Sequence, residues 1–185
     1  AQAAVTTRYN YNLDKHGVFR RWEKDSDLKK LFIFSNGSVE ELNFFLPNDQ
    51  LYLQCGMFNG KPEGAYQQWH PNGNIQCRAF MKDGNQDGEF TEWSEDGNIE
   101  LQCFMKEGLR HGEYKRWHPN GNLHVSCTMN NDKHEGEYKE YYESGQLKID
   151  CFMKDGEDDG VYRDYFEDGQ VKIECTKKNG IYQGE

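Results

Sequence analysis

Along most of the chain, apolar residues fall on every second position for a short run and then give way to a polar, glycine-bearing stretch. Ile75-x-Cys77-x-Ala79, Ile99-x-Leu101-x-Cys103, Leu123-x-Val125-x-Cys127, Leu147-x-Ile149-x-Cys151 and Val171-x-Ile173-x-Cys175 all follow this rule, and the residues between are mostly polar, as with Glu100 and Gln102, His124 and Ser126, Lys148 and Asp150. A period of two with one apolar side predicts a strand buried on one face. Ahead of each run comes a second segment, G-x-[YF]-x-x-[WY], carrying Tyr66 and Trp69, Phe90 and Trp93, Tyr114 and Trp117, Tyr138 and Tyr141, Tyr162 and Tyr165. The two rings are three residues apart, and strict alternation would place them on opposite faces; either one ring caps the outer face, or a bulge turns both inward, which is the expected solution.

These paired segments recur with a period of 24 residues, seen in Gly64, Gly88, Gly112, Gly136, Gly160 and Gly184, in Gly73, Gly97, Gly121, Gly145 and Gly169, and in Cys103, Cys127, Cys151 and Cys175. Cys55 extends the last column back, with Ala79 in the gap. The joins have turn chemistry: "HPNGN" at His70 to Asn74 supplies proline where φ is near -65° and Gly73 where φ must be positive. The other connection, such as "KDGEDDG" from Lys154, is equally short. Short turns at both ends allow only antiparallel neighbours. The predicted fold is therefore all-β: a solenoid of stacked antiparallel β-hairpins forming one elongated twisted sheet, roughly 60–70 Å long at about 9.6 Å per hairpin.

The organisation expected along the chain is an N-terminal segment or cap over 1–16, two divergent repeats over 17–63, five regular repeats over 64–183, and the start of an incomplete repeat at 184–185. In the divergent part Asp49 replaces the turn glycine. The chain starts on Ala1, so it reads as processed or as a fragment. Its unfinished last repeat predicts an uncovered sheet edge, a template for another strand or for self-association.

The columns G-x-[YF]-x-x-[WY]-x-x-x-G-x-[LIV] with a closing K-D-G or K-E-G resemble the MORN repeat in the variant form typical of YwqK-type antitoxin-like proteins. The likeness covers 64–183 well and 17–63 loosely. It departs from the standard repeat in its cysteine column and in lacking a glycine between the two aromatics ("YQQW" at Tyr66). The resemblance implies hairpin solenoids that serve as protein-binding or assembly modules. Phospholipid binding is proposed for some members, and the departures weaken its transfer to this chain. An antitoxin-like role neutralising a partner toxin, and a structural role in a larger particle or cytoskeletal assembly, are the alternatives.

Composition sharpens this picture. Only 35% of residues are hydrophobic and mean hydropathy is -1.05, yet aromatics reach 14% and there are 19 glycines. Disordered chains are poor in aromatics, so a thin folded layer with much surface fits. A net charge of -10 disfavours nucleic acid and anionic lipid surfaces. No run of eighteen apolar residues is present to cross a membrane as a helix.

The remaining candidates for chemistry are few. Repeat-equivalent cysteines lie two strands apart, about 9.5 Å, beyond the roughly 7 Å Cα reach of a disulfide. Buried free thiols are expected, and with them a reducing compartment such as the cytoplasm. No C-x-x-C or paired histidine spacing points to a metal, and neither cofactor nor catalytic residues are expected: the chain reads as non-enzymatic. His70 and His118 share a turn position with Ser94 and Tyr142 and are expected to be solvated. "DGNQDG" at Asp83 begins like a calcium loop, but Ser94 stands where its twelfth ligand should be. Met57, Met81, Met105, Met129 and Met153 follow the cysteine position by two; they either close the shallow core or form an adaptable contact strip. On the other face Phe58, Phe80, Phe104 and Phe152 make a broken row with Thr128 and Thr176. This row, with Met81, Met105, Met129 and Met153, is the candidate protein-binding surface; local packing against the neighbouring turn is the competing reading for the phenylalanines.

Overall fold

The structure is a computed structural model and describes residues 17–22, 29–35 and 38–183. The expected cap over 1–16 and the expected repeat start at 184–185 lie outside the described residues. The alternating runs are strands. Their order is β1 Gly17–Trp22, β2 Lys29–Ser35, β3 Ser38–Phe45, β4 Leu51–Phe58, β5 Lys61–Trp69, β6 Ile75–Lys82, β7 Asn85–Gln86, β8 Gly88–Trp93, β9 Ile99–Lys106, β10 Leu109–Trp117, β11 Leu123–Asn130, β12 Lys133–Tyr141, β13 Leu147–Lys154, β14 Glu157–Tyr165, β15 Val171–Lys178 and β16 Ile181–Gln183. They form one sheet in which each strand pairs with its sequence neighbours; β7 and β8 divide one strand position, β7 pairing with β6 beside the main path. Every pairing is antiparallel, including those of the two divergent hairpins, β1–β2 and β3–β4. The all-β hairpin stack read from the sequence is the fold.

The two ends of the hairpins use different turns. At one end His70 N donates to Asn74 O (2.8 Å) and Gly73 N to His70 O (2.9 Å), and the same pair recurs at Ser94, His118, Tyr142 and Phe166. The divergent repeat closes the same way from Leu46 to Gln50, with Asp49 itself at φ 65°. At the other end two residues with positive φ, such as Asp83 (50°) and Gly84 (90°), make the tight hairpin turn whose twist suits the strands. Each of these turns is tied to the one before it: Gly84 N donates to Pro62 O (3.0 Å), Gly108 N to Gln86 O (2.8 Å) and Gly156 N to His134 O (2.9 Å).

The first kind of turn is stapled across repeats by side chains, which corrects the expectation of solvated histidines. His70 Nε2 donates to Trp93 O and His118 Nε2 to Tyr141 O, both at 2.8 Å, and Tyr142 Oη donates to Tyr165 O at 2.7 Å. Two chemically different side chains, imidazole and phenol, do one job here, because each places a donor at the same reach. Asn72 and Asn74 both donate to Glu95 O, as Asn120 and Asn122 do to Glu143 O.

The buried face alternates sulfur and aromatic rings across the strands. Tyr66 pairs with Cys55 and Ala79, Tyr114 with Cys103 and Cys127, Tyr138 with Cys127 and Cys151, and Tyr162 with Cys151 and Cys175. A tyrosine therefore stands between each pair of repeat-equivalent cysteines, and the rings roof a row of side chains too small to shield one another. Val125, Cys127 and Met129 form one buried cluster under Tyr114 and Tyr138, and Cys55, Ala79 and Met81 another under Tyr66 and Phe90.

Tyr66 and Trp69 do not both turn inward, contrary to expectation. The register does shift beside Trp69, but the extra residue is on the partner strand: Gln68 pairs with Cys77 and Trp69 with Ile75, leaving Gln76 unpaired. Its Oε1 accepts a hydrogen bond from Gln68 Nε2 at 2.8 Å. Strand β5 keeps its alternation, so Trp69 falls on the face opposite Tyr66. Trp93 does likewise, with the Arg78 guanidinium 5.5 Å from its ring centre.

All six cysteines are free; five are buried and Cys175 is half-buried. Burial pushes Cys77, Cys103 and Cys127 up to about 11 and Cys151 to about 12, from an ordinary 9.0. These thiols stay protonated at neutral pH, where the thiolate is the reactive form. Native protein at pH 7.5 is expected to yield one readily alkylated thiol, Cys175, and six after unfolding, as counted by mass spectrometry. Raised folded-state values also mean that stability is intact below pH 9 and declines between pH 9 and 11–12, where the unfolded chain releases protons that the folded chain keeps. Thermal melts across that window measure the decline.

Candidate partner-binding face

On the face opposite the thiols, successive strands contribute one position each to a row across the sheet. Ala65 pairs with Phe80, Glu89 with Phe104, Glu113 with Thr128, Glu137 with Phe152 and Val161 with Thr176. Phe80, Phe104 and Phe152 keep 50%, 43% and 48% of their surface exposed, although they sit in the middle of strands. The repeat glycines explain how they are seated. A β-carbon on Gly88 would lie 3.2 Å from Phe80 Cβ, one on Gly112 3.8 Å from Phe104 Cβ, and one on Gly160 3.5 Å from Phe152 Cβ. Each phenylalanine thus stands across from a backbone position that has no side chain, and its ring stays about half exposed.

Beside two of these rings the surface is concave. One groove, of about 400 Å³, is lined by Phe104 with Glu89, Thr91, Gln102, Glu113 and Lys115 among others; a second, of about 320 Å³, by Phe152 with Glu137, Lys139, Asp150, Val161 and Arg163. Position by position the second is the first displaced by two repeats. Their walls carry ion pairs, Lys115 with Glu113 at 2.6 Å and Lys139 with Glu137 at 3.1 Å. The hydrogen bond that Lys139 donates to Glu137 raises the lysine above its ordinary value. Such exposed pairs contribute at most about 1 kcal/mol to stability, so they can be exchanged for a partner's groups at little cost.

The structure divides the residues singled out in the sequence. Phe80, Phe104 and Phe152 share a column with Gly56, Thr128 and Thr176. Phe58 lies on the same face but two residues nearer the turn, opposite Lys61, and is 65% exposed. The methionines are on the other face: Met81, Met105 and Met129 are buried, the last to 2% exposure, and Met153 is half-buried. Met129 packs between Gly112 and His134 on the flanking strands. Neither groove is lined by a methionine, and these side chains fill the core side of the sheet. The groove-wall residues Glu89, Glu113 and Glu137 were not singled out. Each directly follows a repeat glycine, so the column is visible in the sequence, but only the register shows that it flanks the phenylalanines.

Among the described residues, no three His, Cys, Asp or Glu side chains converge as a metal-holding group, and no helix is long and apolar enough to cross a membrane. With this geometry in place, comparison with known proteins adds one finding. A family model described as the MORN repeat variant matches residues 62–83, 86–107, 110–131, 135–155 and 158–179. No curated protein matches the chain.

Proposed function

Because the chain belongs to the MORN repeat variant family, whose repeats are generally involved in protein–protein or membrane interactions, we propose that it is a non-enzymatic interaction module that holds a protein partner on its phenylalanine face. One observation carries this reading: three half-exposed phenylalanines stand in one column on an uncovered sheet face, two of them beside equivalent grooves. Aromatic side chains offer a large contact area for few rotatable bonds, which gives them their weight at interfaces. A net charge of -10 argues against an anionic membrane as the main ligand. A scaffold and an antitoxin would use the same face differently: an antitoxin holds one toxin in a tight stoichiometric complex, and a scaffold gathers several proteins or copies along its length.

The test is a double substitution, Phe104→Ser with Phe152→Ser, compared with the unaltered chain in pull-downs from the source cells. These rings pack on no core residue, so the fold should melt within about 1 kcal/mol of the original. Partner capture should fall at least about tenfold, as loss of central aromatic contacts does elsewhere. Undiminished capture by the double variant would move the binding site off this face.

A further inference from the structure

On the buried face, one repeat brings together a set of soft ligands that the others do not. Cys127 and Met129 are two residues apart on β11 and point the same way, and the thiol donates to the thioether with Sγ and Sδ 3.8 Å apart. Met129 pairs directly with His134 on β12. The His134 ring stands edge-on to Tyr138, 5.2 Å between centres, and its Nδ1 is buried without a hydrogen-bond partner. That the residue facing the methionine reaches the cysteine is shown one repeat on, where Cys151 Sγ donates to Asp158 Oδ1 at 3.5 Å.

We propose that Cys127, Met129 and His134 form a binding site for a soft monovalent cation, Cu(I) in particular. Thiolate and thioether sulfur select Cu(I), and imidazole suits it as well. Two sulfurs each about 2.3 Å from a shared ion stand roughly 3.8–4.6 Å apart, depending on the angle between them; the observed separation fits without moving the strand. From the position directly across from Met129, the imidazole contributes a buried nitrogen that has no hydrogen-bond partner. Burial disfavours its charged form and holds its pKa below the ordinary value, so it is neutral, as a ligand must be. Binding forms a Cu–S bond and breaks the S–H bond of Cys127, releasing one proton to solvent; the metal keeps its oxidation state. Burial holds the Cys127 thiol up at about 11, with nearby Arg110 only partly offsetting it, so the metal itself must displace the proton; the Arg110 charge is held by Asp132 at 2.6 Å.

The other repeats lack at least one element each, and the Met81 repeat also has Ala79 in place of the cysteine. Opposite Met57 stands Pro62, opposite Met81 Gln86, and opposite Met105 the cation Arg110. Opposite Met153 is Asp158, a hard ligand already bound to Lys177 Nζ at 2.7 Å. Among the described residues a single strong site per chain is therefore expected. Its ligands come from facing strands, which is why a search for C-x-x-C or paired-histidine spacing passes over it.

The experiment is an anaerobic titration of the full chain with Cu(I), buffered by a chromophoric Cu(I) chelator, with bound metal counted by native mass spectrometry. The result expected is one retained equivalent with ultraviolet thiolate-to-copper absorption. It should weaken at least tenfold in His134→Gln and in Met129→Leu and be unchanged in Cys175→Ser. The two weakened variants keep the core cysteine, so the test stands even if Cys127→Ser does not fold. Loss of all copper to the chelator would overturn the proposal. So would retention that scales with the six thiols, or affinities in His134→Gln and Met129→Leu equal to the original, since binding would then be that of any thiol.

Discussion

Gly56→Ala is expected to destabilise the sheet by about 3 kcal/mol, at the upper end of what overpacking costs, and to do so at one place. A β-carbon at this position would sit 2.2 Å from the carbonyl oxygen of Glu63. That oxygen belongs to the backbone of β5 and cannot swing aside as a side chain would. The register slips here: between the pairs Cys55–Tyr66 and Met57–Pro62, the single residue Gly56 faces three residues of the neighbouring strand; the same slip carries side chains at Thr128 and Phe152, so the close carbonyl is particular to this repeat. Accommodating the methyl means parting β4 from β5. Because the strands pair only with their sequence neighbours, the break would detach β1–β4 and leave the regular repeats intact. Urea titration followed by far-ultraviolet circular dichroism should show a new early transition, and limited proteolysis should cut first within 29–58. A melt superimposable on the original would mean that the bulge is absent or freely deformable.

Tyr138→Ala should have a comparable cost, about 3–5 kcal/mol, with the opposite polarity along the chain. The ring roofs Cys127 and Cys151 at once and packs on the Val125, Cys127 and Met129 cluster. No second layer can collapse into the space it leaves. Burial raises the pKa of its hydroxyl well above the ordinary tyrosine value, with Glu140 adding to the effect; the hydroxyl donates to Glu140 Oε2 at 3.3 Å. That bond is long, and the equivalent position in another repeat is Phe90, so Tyr138→Phe should cost under about 1 kcal/mol. The tryptophans provide a direct readout. All four lie at or before Trp117, whereas the damage falls between β11 and β13. In Tyr138→Ala the loss of circular dichroism should begin at lower urea than the change in tryptophan fluorescence. Coincident transitions would show that the repeats unfold as one unit and that nearest-neighbour coupling is too strong for the sheet to divide.

Much of this architecture could be read from the chain because its signals are local. Turn residues such as Pro71 and Gly73, the alternation of Leu123, Val125 and Cys127, and the two-strand spacing of the cysteines each depend on a few neighbouring residues and on fixed strand geometry. Asp49 could be identified as a stand-in for the turn glycine for the same reason. The candidate face was legible only in part. The phenylalanine column follows from the period, but Phe58 is set two residues off it, because what occupies the column in that repeat is Gly56. The methionines share the cysteine face, where alternation puts them, yet their burial depends on how tyrosine rings and flanking strands close over them. The roles of His70 and His118 depend on a carbonyl 23 residues further along the chain, which no local pattern encodes.

The sequence by itself determined the period, the strand and turn positions, the antiparallel order and the face each alternating side chain takes, since all of these are consequences of backbone geometry repeated at short range. Only the tertiary structure decided where the ladder slips. Those slips seat phenylalanines across from glycine backbone and set His134 against Met129, while the close approach of the Glu63 carbonyl leaves no room for a side chain at Gly56. The reason is physical: a bulge is chosen by the fit between two strands, through carbonyl positions and side-chain volumes on both, and neither strand carries that information alone.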